Sequence, residues 1–202
     1  MVAMKVQFKK SLISVFIISV ALVLPQTALA GWKLDNQRST LNFVTVKNSA
    51  VTEVHQFKKL SGFVDDNGQV TADIDLASVD TNIKIRDQRI RDMLFQVANY
   101  PEANLSAKLN IEPLKALKVG ESMVMPVDFE LALHDNVQRI TAPVSVVALA
   151  DGGLQVTTIE SVVVYANKFD LDGGVKALQE VANLNAIAMG IPVNAQFVFK
   201  PE

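Results

Sequence analysis

Side chains that could do chemistry are sparse in this sequence. Its two histidines, His55 and His134, stand far apart, in no spacing such as H-E-x-x-H that would bring imidazoles to one metal. Each is read as the solvent-facing member of a strand. Asp73 and Asp75 alternate with Ile74 and Leu76, so the two carboxylates share a strand face. A paired-carboxylate site has that pattern, and so does the wet side of an amphipathic strand, which is the reading taken. No G-x-S-x-G elbow, P-loop or dinucleotide fingerprint occurs, and no cofactor is expected. The absence of cysteine excludes disulfides, thiolate metal sites, thiol catalysis and a lipidated N-terminal cysteine. Nothing here composes an enzyme.

One constellation is dense. Asp80-Thr81-Asn82 is followed by Arg86-Asp87, Arg91-Asp92, Phe95 and Tyr100-Pro101, with Arg89 between the two Arg-Asp pairs. A solvated helix with locally paired charges has this composition, each pair being worth only about 0.2–0.5 kcal/mol. The sharper alternative is an Arg–Asp anchor that pins the helix across one end of the fold. A guanidinium can bind in two places at once, which lysine cannot reproduce. Arg86 and Asp87 are therefore assigned to such a lock, with Arg86 near whatever polar group a bound ligand presents.

The elements that must position these residues are mostly strands. Met123, Met125, Val127, Phe129, Leu131 and Leu133 alternate with Asp128, Glu130 and His134, the period of a half-buried strand. His134-Asp135-Asn136 turns the chain into Ile140, Ala142, Val144, Val146 and Ala148. Asp151-Gly152-Gly153 turns it again into Leu154, Val156 and Val162–Val164. Earlier, Leu41, Phe43 and Thr45 share a face, and Asp66-Asn67-Gly68 marks a hairpin before Val70, Ala72, Ile74 and Leu76. Strands are expected over 38–46, 51–65, 69–80, 104–112, 123–134, 137–150, 154–166 and 191–200. Segments 85–97 and 174–189 carry helical periodicity, the second ended by Gly190-Ile191-Pro192. The fold class is all-β: an antiparallel eight-stranded barrel with two short helical insertions, closure being the economical way to remove exposed edges. A sandwich is the alternative. The Ser161–Tyr165 run is apolar on both faces, which calls for cover by helix 174–189 or for a homodimer contact.

Residues 1–30 have the layout of an export signal: Lys5, Lys9 and Lys10, the 14-residue apolar run Ser11–Leu24, Pro25, and the small-residue site Ala28-Leu29-Ala30. That run is short of the roughly 20 residues that span a bilayer. Cleavage would leave 31–202 as one domain in the periplasm, with 16 basic residues against 21 acidic ones. An uncleaved anchor is the other reading. The acidic balance gives no footprint for nucleic acid. An outer-membrane barrel would need a lipid-facing band with aromatic girdles. The solvent parity instead carries Asp73, Asp75, Asp128 and Glu130, so no stable membrane insertion is expected.

The ordered motifs resemble the YceI-like family, periplasmic lipocalin-like barrels that hold polyisoprenoid lipids. The resemblance rests on Trp32-Lys33-Leu34-Asp35, Ser39 to Phe43, Ser61-Gly62-Phe63, Thr81-Asn82 with Arg86-Asp87, Ile90, Phe95 and Tyr100-Pro101, then Leu131-Ala132-Leu133-His134 and Asn167-Lys168-Phe169. It spans 31–202 and departs at Ile90 for Leu, Asp135 for a frequent Gly, and Asn167 near an expected Arg. It implies a non-enzymatic carrier of an isoprenoid or other long-chain lipid. The expected ligand-binding residues are Phe43, Phe63, Met125, Val127, Phe129, Leu131, Val144, Val146 and Phe197, with Arg86 at one end. The rival from another class is a structural or partner-binding envelope module whose barrel is filled by side chains.

Overall fold

Residues 31–202 are described by a computed structural model; the proposed signal segment lies outside the described residues. The chain forms a closed antiparallel barrel of eight staves, several of them broken by a bend into two strands. The first stave is β1 (Gly31–Leu34) with β2 (Thr40–Lys47), and the second is β3 (Val51–Phe57) with β4 (Leu60–Asp65). The third is β5 (Gln69–Asp75) with the short β6 (Val79–Asp80). Single strands follow: β7 (Glu102–Lys108), β8 (Ser122–Leu133) and β9 (Asn136–Ala148). β10 (Leu154–Thr158) with β11 (Val162–Tyr165) forms the seventh stave, and β12 (Gly190–Pro201) the last. Each stave pairs with the next. β12 closes the ring onto both halves of the first, through Leu34↔Phe199 and Phe43↔Val193.

The bends would orphan backbone groups, and side chains satisfy them. Asn36 accepts from the Leu60 N–H at 2.7 Å and donates to the Lys58 carbonyl at 3.1 Å. The Ser39 hydroxyl donates to the Asp35 carbonyl and accepts from Val198 N–H, at 2.8 and 2.9 Å. Asp75 accepts from Ala77 N–H, and Asp73 from the Asn104 amide. These two carboxylates sit outside the barrel in structural roles.

Up-and-down connectivity puts the β2–β3 hairpin, the 81–101 connection, the β8–β9 turn and the 166–189 connection at one end, here the upper one. α1 (Lys84–Arg89) and the π-helical turn Ile90–Phe95 that continues it lie there, as does α3 (Asp172–Val181). The expected helix 85–97 is thus present with a π segment. The second expected helix ends at Val181 rather than at 189. Asn183 turns left-handed (φ 50°), and Asn48 then captures the chain, accepting from the N–H groups of Asn185 and Ala186. Competition from the β2–β3 hairpin, which also pairs Lys47 with Ile187, overrides the helical period.

A third, one-turn helix α2 (Glu112–Lys115) was not expected, because Ile111 extends the alternation of β7 in sequence although the strand ends at Lys108. Ile111 and Leu114 are buried at the lower end. No helix among the described residues is long and apolar enough to cross a membrane.

Candidate functional site

The barrel interior is not filled. It encloses a cavity of about 600 Å³ whose lining is contributed by every stave and by both upper helices. Phe43, Met125, Val127, Phe129, Leu131, Val144, Val146 and Phe197 all line it, as does Arg86 at its upper end. The period of two accounts for this: β8 and β9 pair in register, Met125↔Val144 and Val127↔Ala142, so one parity of each faces inward.

Phe63 is a correction. β4 turns Leu60 and Val64 into the core, so Phe63 points out and rests on Gly31, where a Cβ would come within 2.6 Å of its ring. Val64 takes the lining position. The Ser161–Tyr165 run is sorted by the same rule. Val162 and Val164 line the cavity, while Val163 and Tyr165 stay exposed at 45% and 53%, so α3 does not cover them.

At the upper end, Ile83, Ile85 and Val181 both line the cavity and are solvent-exposed, which locates its mouth between the start of α1 and the end of α3. The position of α1 is fixed through Thr81, which is 3% exposed. Asp87 Oδ1 accepts from the Thr81 N–H at 2.8 Å and from its hydroxyl at 2.5 Å. Arg86 Nε donates to the Thr81 hydroxyl at 2.8 Å and its Nη2 to the Thr81 carbonyl at 2.7 Å, while Nη1 donates to Glu53 at 2.8 Å. The Arg–Asp lock is therefore built, and solvated local pairing does not describe this helix. Arg86 spends its guanidinium on the protein rather than on the cavity centre.

Sequence reasoning missed His55. It was placed toward solvent but is 4% exposed and lines the cavity. Its partner across the strands is Phe43, and Glu53, His55 and Phe57 share one parity of β3, as Leu41, Phe43, Thr45 and Lys47 share one of β2. The available signal was that these polar residues share a parity with Phe43 and Phe57. His55 Nε2 lies 2.9 Å from the Thr45 hydroxyl, and burial, followed by the Arg86 charge, pushes its pKa down. Lys47 and Arg86 both pair with Glu53. The Lys47 bond holds that carboxyl below its usual range, burial opposes it, and Arg86 adds to the lowering. His134 occupies the β8–β9 turn at φ 53°, half-buried, with its ring centroid 4.0 Å from that of Tyr100. It is thus not a solvent-facing strand residue either.

A closed meander around an apolar cavity, capped by helices at the open end, is the architecture of a binding barrel. The family model for the YceI-like domain matches residues 32–199. The chain belongs to the YceI-like family. A polyisoprenoid-binding domain from Saccharophagus degradans, implicated in plant cell wall breakdown, is 32% identical, with a TM-score of 0.84 over 86% of this chain and 99% of that one. Burkholderia cenocepacia BcnA is 19% identical, with a TM-score of 0.63 over 82% of this chain and 98% of its own. The Campylobacter jejuni YceI protein is 17% identical, with a TM-score of 0.53 over 73% and 84%. The latter two likenesses are of fold. Among curated protein sequences none matches.

Proposed function

We propose that this protein, exported to the periplasm and cleaved before Gly31, holds one long-chain apolar lipid, of the polyisoprenoid class, inside its barrel without chemical change to it. The observation that carries this reading is the open, almost wholly apolar cavity, which makes a filled structural barrel the weaker alternative. The polyisoprenoid-binding Saccharophagus domain supports the ligand class. Removal of a chain of some 40 carbons from water is worth tens of kcal/mol at about 0.8 kcal/mol per CH₂. A membrane hides the same chain as well, so net affinity comes from fit and from contacts to the polar end. That suits a carrier that must also release.

The test is uptake of a polyprenol by delipidated protein, compared with Val156→Trp, in which an indole occupies the cavity from β10. Saturable one-to-one uptake by the native barrel, lost in the folded variant, is expected. Equal uptake by both would place the lipid elsewhere.

A further inference from the structure

The cavity wall is apolar except at one strip near the mouth, where Thr45, Lys47, Glu53 and His55 project from β2 and β3 toward Arg86 and Arg89 of α1. Thr158, the remaining polar lining residue, already bonds with the backbone of Ala195 in both senses. Within the strip His55 differs from its neighbours. Its Nε2 is held by Thr45, whereas Nδ1 is buried with no protein partner. Leaving such an atom unpaired forfeits the hydrogen bond it had with water, and an orphan of this kind in a native fold calls for an explanation.

We propose that His55 receives the polar end of the bound lipid, and that this end is an uncharged oxygen, a hydroxyl or a carbonyl. The inference rests on the lipid-holding reading and adds its polar contact. Register supplies the direction. Moving down from the β2–β3 hairpin, the inward pairs are Thr45 with Glu53, Phe43 with His55, then Leu41 with Phe57. A head group at His55 therefore sits near the mouth and sends its tail down the apolar barrel. The nearby cations, Lys47 and Arg86, already bond to Glu53.

An anionic head would find a better partner in Arg89, which lines the mouth and has no acidic partner among the described residues. When the Thr45 hydroxyl donates to Nε2, Nδ1 carries the proton and donates to either oxygen type. In the reverse tautomer Nδ1 accepts, and only a hydroxyl can serve it.

The experiment measures affinity of the delipidated mature protein for three probes of equal chain length: a polyprenol, the corresponding polyprenyl phosphate and the oxygen-free hydrocarbon. The alcohol is expected to bind about tenfold more tightly than the hydrocarbon, the worth of one buried hydrogen bond. His55→Phe should abolish that preference, and His55→Gln, which keeps a donor and an acceptor, should restore part of it. The imidazole ¹⁵N resonances of His55 read the same contact without substitution, with Nδ1 shifting on addition of the alcohol and not of the hydrocarbon.

Hydrocarbon and alcohol bound equally, an equal loss for all probes in His55→Phe, or a preference for the phosphate that Arg89→Ala removes would each overturn the inference alone. Wild-type protein that binds none of the three would overturn the lipid-holding reading and the inference with it.

Discussion

Thr81 shows how much one hydroxyl can organise. It donates to Asp87 and accepts from Arg86, and its own carbonyl receives a second donor of the same guanidinium. Lysine at 86 keeps the charge and loses the fork, so Arg86→Lys is expected to destabilise the ligand-free protein by about 1–3 kcal/mol. In thermal unfolding each kcal/mol corresponds to about 2–4 °C for a domain of this size. An unchanged midpoint would leave the lock without energetic weight.

His55 adds a pH signature. Its folded pKa lies below the 6.5 of an unperturbed imidazole, through burial first and Arg86 second, so the unfolded chain binds the extra proton more readily. The stability this represents is complete above that value and is lost as pH falls toward the depressed folded pKa. Glu53, held low by Lys47, contributes in full only above its ordinary 4.5. Melting temperature should therefore begin to drop between pH 6.5 and 4.5, before the carboxylates titrate. His55→Phe should flatten that limb, and parallel profiles for the two proteins would contradict the assignment. The Arg86–Asp87 lock was legible in the sequence because its two residues are neighbours in the chain, whereas the part of Thr81 at its centre was not. His55 was not, since its environment is made by strand parity and a helix 31 positions away in sequence, and polarity alone pointed the wrong way.

At the scale of elements, the cap depends on how closely α3 approaches the turn that follows α1. A Cβ on Gly174 would lie 2.7 Å from the Met93 carbonyl oxygen and 2.8 Å from Leu94 Cα, both backbone, whereas Gly173 has nothing within 4 Å. Gly174→Ala should destabilise by about 1–3 kcal/mol through overpacking, despite alanine's better helix propensity. Gly173→Ala, in the same helix, should be neutral or stabilising by up to about 1 kcal/mol. Paired denaturant titrations check this, and equal effects at both positions would mean that α3 is not seated on that turn.

Strand positions followed from alternation, because a half-buried wall imposes period two on Met125 through Leu133 and on Ala142 through Ala148. Helix ends did not follow. Residues 182–189 keep an apolar helical spacing, yet Asn48 and the edge of β2 offer their backbone hydrogen bonds that a lone final turn lacks. Phe63 failed for a related reason: the bend at Lys58-Lys59 resets which parity of β4 faces inward.

For the whole molecule, the proposed lipid has two apolar environments open to it, the 600 Å³ cavity and a bilayer. The mouth exposes Ile83, Ile85 and Val181 beside a polar strip, so an amphiphile can enter tail first and keep its oxygen near the rim. The proposed export is tested by intact-mass measurement of the protein, which should give an N-terminus at Gly31. Retention of residues 1–30 on soluble protein would refute that.

The proposed function requires that the cavity hold a lipid in the cell. The direct measurement is mass spectrometry of the organic extract from protein purified natively, without detergent. One long-chain, oxygen-bearing apolar lipid in near-stoichiometric amount, depleted in Val156→Trp, is expected. Protein that yields no such lipid, and that also fails to take one up when a polyprenol is supplied, would contradict it.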